Sequence, residues 1–138
     1  MSEVATWIED GDFGRTLAVP MRTERGMNAR EHPMSRHRRV KAEKDVIAWE
    51  LVNAQRPPIP CTCLLTRVAP SKGLDDDNLA GALKSVRDAV ADWLGVDDAR
   101  RELVRYRYTQ TRGPWGVRIQ FGPPVRGMQG VLDFTEEQ

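Results

Sequence analysis

The chain has 138 residues, 40% of them hydrophobic and 30% charged, with 21 Lys and Arg against 20 Asp and Glu for a formal net charge of +1. That length holds one hydrophobic core, the composition is that of an ordinary globular protein, and no apolar run approaches the roughly 20 residues a membrane span needs. The N-terminal MSEVATWIEDGDFGR lacks a signal-peptide core, so a single domain over 1–138, a cytoplasmic location and no membrane partner are expected.

Thr6-Trp7-Ile8 and residues 13–21 (FGRTLAVPM) read as two strands around an Asp10-Gly11-Asp12 turn, the second ending near Pro20. Residues 22–33 show no period and read as a loop. A helix is expected from Ser35, as its N-cap, to about Ala54. Val40, Ile47, Leu51 and Ala54 recur there at helical spacing, Trp49 and Val52 widen the apolar face, and Arg56-Pro57-Pro58 stops it. His32 and His37 lie in this basic stretch with no partner at metal-ligand spacing, and read as surface or phosphate-contacting residues.

Residues 60–69 (PCTCLLTRVA) are an apolar run of strand length, expected to be central and covered on both faces. Cys61 and Cys63 fall on one face of it and read as small buried hydrophobes rather than a disulfide or metal ligands. After the Pro70-Ser71-Lys72-Gly73 turn a second helix is expected from Asn78 to about Leu94, ended by Gly95. Its Leu79, Leu83, Val86, Val90 and Leu94 form a narrow seam suited to packing on the sheet or on a copy of itself.

Residues 102–110 and 115–121 alternate as strands around Thr111-Arg112-Gly113-Pro114, a predicted hairpin. Val104, Tyr106, Tyr108, Val117, Ile119 and Phe121 take its apolar face, and Arg105, Arg107, Thr109, Arg118 and Gln120 its polar one. The Gly- and Pro-rich stretch from about 122 to 138 reads as a poorly ordered tail, with Val131, Leu132 and Phe134 available to dock. The order strand, strand, helix, strand, helix, strand, strand predicts an α/β (α+β) fold, a small mixed β-sheet with two main helices.

Charge is segregated along this frame. Residues 75–98 hold seven of the eleven aspartates and no glutamate, against only Lys84 and Arg87. They form a triplet (Asp75, Asp76, Asp77, before Asn78), a helical pair (Asp88, Asp92) and a closing pair (Asp97, Asp98). Adjacent carboxylates repel unless a cation sits among them, and Mg²⁺, or Mn²⁺, suits an all-oxygen cluster. The plainer alternative is an N-cap at Asp77 or Asn78, acids beside the helix dipole and a solvated turn at Asp97-Asp98. Capping uses one such residue, however, and the triplet exceeds that need.

Two stretches are basic: residues 22–41 carry seven Lys and Arg against Glu24 and Glu31, and residues 99–118 six arginines against Glu102. Arg36, Arg38, Arg39 and Lys41 on the first helix, and Arg105 and Arg107 on one strand face, are candidate phosphate contacts. Solvation of exposed faces is the alternative.

The segment GLDDDNLAGALKSVRDAVADWLGVDD resembles the signature of the RusA family of Holliday junction resolvases, in which an Asp-x-Asp-Asn motif opens a helix and an Asp-Asp pair closes it. Asn28 in an N-terminal loop, the basic helix and the apolar strand agree with that resemblance. It implies a Mg-dependent endonuclease that resolves Holliday junctions or other branched DNA in recombination and repair, working as a homodimer. Asp75, Asp77 and Asp98 would be the metal-binding and catalytic carboxylates, Lys84 would stabilise charge on the phosphate, and Asn28 would join the DNA contacts. The lysine departs from the family pattern: counted from Asn78, its position is held by Gly81. The alternative is therefore a catalytically impaired RusA-like protein that binds DNA junctions. A helix from Asn78 to Leu94 spans about 25 Å, so a shared site, with Asp98 of one chain near Asp75 and Asp77 of another, is expected through antiparallel packing of the seam.

Overall fold

A computed structural model of the chain describes residues 6–9, 15–23 and 32–125. Its elements are β1 (Thr6–Glu9), β2 (Arg15–Val19), α1 (Pro33–Leu51), β3 (Cys61–Ala69), α2 (Asp76–Ala82), α3 (Lys84–Leu94), β4 (Val104–Arg112) and β5 (Gly116–Gly122). The expected α/β class holds, as one mixed five-stranded sheet in the order β1-β2-β5-β3-β4 with the helices on one face. Asn28 and the tail residues Val131, Leu132 and Phe134 lie outside the described residues.

Alternation along the strands builds the core. Cys61, Cys63 and Leu65 of β3, Val117, Ile119 and Phe121 of β5, Val104 of β4 and Leu17 and Val19 of β2 share one face. Ile47 and Leu51 of α1 pack on them with Leu79, Leu83, Val86, Val90 and Leu94 from α2 and α3. The seam is thus consumed within the chain: Leu83, Val86 and Val90 are 0% exposed. A homodimer built by pairing that seam is corrected for this reason, since its apolar surface is already out of water.

Four further expectations are revised. The helix predicted from Asn78 to Leu94 is two, broken at Leu83 (φ −101°, ψ 5°), although Leu83 N–H still reaches Leu79 O and Arg87 N–H reaches Leu83 O. The α1 cap is His32 rather than Ser35, its Nδ1 accepting from Met34 N at 3.1 Å ahead of Pro33 in the first turn. Trp49 and Val52, expected to widen α1's apolar face, point outward at 76% and 62% exposure. Finally, β4 and β5 are not a hairpin. β3 lies between them, parallel to β4 and antiparallel to β5, and the connecting turn is held by Gly113 N–H donating to Ala69 O at 3.0 Å.

β3 is therefore central, but the described residues place helices on one of its faces only. Gly95, at φ +73°, ends α3 in the left-handed conformation that a Cβ disfavours. Gly73 admits the Gln110 amide, which closes two bonds to the Leu74 backbone, at 2.8 and 2.7 Å; a Cβ at Gly73 would stand 2.9 Å from Gln110 Oε1.

Candidate binding face and the acidic segment

The aspartates of 75–98 have local partners. Asp75 is the N-cap of α2, its Oδ1 accepting from Asn78 N at 2.9 Å, and Asp76 and Asp77 sit in the first turn, where the helix dipole favours them. Asp88 receives Lys84 Nζ at 2.9 Å, Asp97 receives Ala99 N at 2.8 Å, and Asp92 lies 4.0 Å from Lys44. Asp98 stands 3.0 Å from Arg87 Nε, and Arg87 also donates to Tyr108 Oη at 2.9 Å.

Asp75 and Asp77 stand at the start of α2, whereas Asp98 follows α3. Nineteen residues, 76–94, separate those ends, at most roughly 28 Å at helical rise because the helix breaks at Leu83. Among the described residues no three His, Cys, Asp or Glu side chains come together as a metal would need. Within one chain, Asp75, Asp77 and Asp98 therefore belong to no such group.

Lys84, the expected charge-stabilising residue, is paired with Asp88 and lines a cleft of about 290 Å³ between α1 and the α2–α3 pair. Arg36, Arg39 and buried Glu43 line it too, with Glu43 bonded to Ser85 Oγ and 3.3 Å from Arg39. Of the remaining α1 bases, Arg38 is exposed and Lys41 pairs with Asp45 at 3.0 Å. Arg105 and Arg107 lie elsewhere. They project from β4 on the sheet face opposite the helices, so the two basic patches do not form one surface.

That face, exposed in part and buried at Thr16, Thr66 and Val68, is the most distinctive surface of the fold. From β2 to β5 its residues are Thr16 and Ala18; Thr62, Leu64, Thr66 and Val68; Arg105, Arg107, Thr109 and Thr111; and Gly116, Arg118, Gln120 and Gly122. Among the described residues it carries three arginines and no acid. A depression of about 550 Å³ lies across it, lined among others by Thr62, Leu64, Arg107, Thr109 and Gln120. The Arg105 Nε is buried without a hydrogen-bond partner, so this face has donors to spare. Arg118 belongs to it although the sequence reading left it out of the candidate contacts. The alternation of β5 held that signal, but only the strand order brings Arg118 beside Thr66.

Beneath the face the thiols are inert. Burial pushes Cys61 up to about 11, and Cys63, also buried, well above the usual thiol value. A thiol held neutral is a poor nucleophile and a poor metal ligand, in line with their reading as core residues.

No family model and no curated protein matches the sequence. Among solved structures the chain is similar to two crystal structures of the periplasmic domain of Helicobacter pylori MotB, covering residues 90–256 and 78–256 of that protein. Both give a TM-score of 0.46 at 10% identity, over 98% and 97% of this chain and 89% and 91% of those chains. At that distance nothing of MotB is carried over. These neighbours are nonetheless periplasmic MotB domains where resolvases were expected. Neither neighbour is a resolvase, and the expected Mg-dependent endonuclease, impaired junction-binding relative, branched-DNA partner and cytoplasmic location are withdrawn for want of any support in the comparisons.

Proposed function

We propose that this chain is a non-catalytic binding module that takes an acidic polypeptide strand along β4. The observation that carries this reading is a sheet face that, among the described residues, bears arginines and no acid and adjoins a strand with no partner on its outer edge. β4 ends the strand order. Its hydrogen-bond phase follows from two backbone bonds: Cys61 N donates to Leu103 O, and Gly113 N donates to Ala69 O. In a parallel ladder these direct the backbone groups of Arg105, Arg107, Thr109 and Thr111 toward β3. The N–H and C=O groups of Tyr106, Tyr108, Gln110 and Arg112 then face outward. Val104 shares their phase, and its N–H is taken by Arg100 O at 3.2 Å.

A row of unpaired donors and acceptors at strand spacing is complemented in register by another polypeptide backbone. The side chains choose its sequence. Residues of an added strand on the open face would sit about 5 Å from Arg105 and Arg107, and those on the other face beside Tyr106 and Tyr108. Acidic and apolar residues in alternation satisfy both. Since exposed ion pairs contribute at most about 1 kcal/mol each, the main-chain bonds supply the register and the arginines supply sign and salt dependence.

The test is fluorescence anisotropy with a labelled hexapeptide of alternating Glu and Val, its N-methylated analogue and an alternating Lys-Val control. Saturable, salt-sensitive binding of the first alone is expected, weakened at least tenfold by the double change Arg105→Glu and Arg107→Glu. Equal binding of the N-methylated peptide would refute pairing at the β4 edge, and indifference to both arginine changes would refute the basic face as the recognition surface.

A further inference from the structure

β3 carries one arginine on its helix-side face, where the other residues of the strand are apolar. Arg67 stands opposite Val117 of β5 and Gln110 of β4 and is 2% exposed. Its Nε donates to Thr23 Oγ1 at 2.9 Å, and Thr23 is itself buried. The guanidinium carbon lies 5.5 Å from the centroid of the Trp115 ring, and that of Arg22 lies 4.9 Å from the same centroid. Two cations thus share one indole. Among the described residues neither arginine makes an ion pair, and Arg67 makes no side-chain hydrogen bond besides the one to Thr23.

This arrangement is expensive for folding alone. A buried charge without a counter-charge loses its hydration and recovers little of it from one hydroxyl and a π face. Burial presses Arg67 below the usual arginine range, yet a guanidinium does not give up its proton near neutral pH. Leu65 and Ala69, the residues two before and two after on the same face, show what the core otherwise accepts there. Thr23 fixes Nε, which leaves the terminal N–H groups of the fork as oriented donors. Arg22 is exposed and can close over the same place. A fork held this way matches the paired oxygens of one oxyanion.

We infer that Arg67 and Arg22, beside Trp115, form a binding site for a single oxyanionic group, a carboxylate or a phosphate. The site lies on the helix side of the sheet and is independent of the β4 edge. Trp115 serves as a built-in reporter. The experiment titrates the full chain with sodium phosphate and, separately, sodium acetate at constant ionic strength, with chloride as the control. It reads tryptophan fluorescence and the Arg67 Nε–H resonance in a ¹⁵N-arginine spectrum. A saturable change in both signals with phosphate or acetate but not chloride is expected, and the more potent anion identifies the ligand class. Arg67→Lys, which keeps the charge and loses the fork, weakens binding at least tenfold; Arg22→Gln weakens it less; Trp115→Phe removes the fluorescence change and leaves the resonance shift. Arg67→Met melts no lower than the wild type in anion-free buffer and no longer gains thermal stability from the anion. No saturable response to either anion, or equal affinity in the wild type, Arg67→Lys and Arg22→Gln, overturns the inference.

Discussion

Leu83→Ala tests where the α2–α3 seam belongs. The side chain is 0% exposed and sits at the break between the two helices, packed within the same core as Ile47, Val86 and Ile119. Helices and sheet close around it, so the site can collapse only in part, and the middle of the range for buried leucines applies, about 3 kcal/mol. Alanine recovers little through helix propensity, because Leu83 has left helical ψ. For 138 residues the unfolding entropy is about 0.29 kcal/mol/K, so the melting temperature should fall by about 10 °C. Urea unfolding followed by far-UV circular dichroism, at two protein concentrations about a hundredfold apart, separates the alternatives. An intramolecular core gives the same loss at both. A loss below about 1 kcal/mol, or a wild-type midpoint that rises with concentration, would refute the reasoning, the first because the cavity cost would be absent and the second because the seam would be an interface.

Two further outcomes follow from local chemistry. Asp75→Ala should cost about 1 kcal/mol by removing the cap on Asn78 N–H, while Asp75→Asn should stay within a few tenths, since Asn caps as well as Asp; chemical unfolding of both variants decides, and an equal loss would mean that the charge matters rather than the cap. The thiols predict a sensitivity to alkali. Cys61 is raised from 9.0 to about 11 and burial raises Cys63 well above 9.0, so below pH 9 both states hold their protons and this contribution to stability is whole. Above pH 9 the unfolded chain ionises first, and stability falls as pH rises through about 11. Thermal melts across that window should show a shallower decline in Cys61→Ala, and an unchanged slope would remove Cys61 as a source.

Periodicity made the faces of this fold legible. The alternation in VRYRYTQTR and GVRIQFG separated Val104 and Ile119 from Arg105 and Arg118 correctly, because a side-chain period of two depends only on the strand itself. It did not reveal which strands are neighbours. A short Thr-Arg-Gly-Pro link invites a hairpin, and the preference of β3 for both partners is a tertiary matter that no local signal carries. The helix break at Leu83 was hidden for a related reason, as one regular seam in sequence accommodates a kink when the ladder continues across it. His32 is exposed, as expected, and also caps α1, a role for which Ser35 was the stronger sequence signal. The acidic segment was the loudest feature of the sequence, and its members meet capping, turn and ion-pair needs one at a time. Arg67 was quiet, one charge within an apolar run, and only its burial beside Trp115 distinguishes it.

The strand order has a consequence for how the molecule comes together. β5 joins β1–β2 to β3–β4, and among the described residues the ladder between the β1–β2 ribbon and β3 and β4 runs through it alone, Leu17 meeting Ile119. The N-terminal ribbon therefore waits through nearly the whole length of the chain for its partner, and a ribbon two strands wide is marginal by itself in water. Such distant closure slows folding. A chain interrupted before Gly116 would hold two separate ribbons in place of a weakened sheet, which makes residues 116–122 the point at which assembly becomes all or nothing.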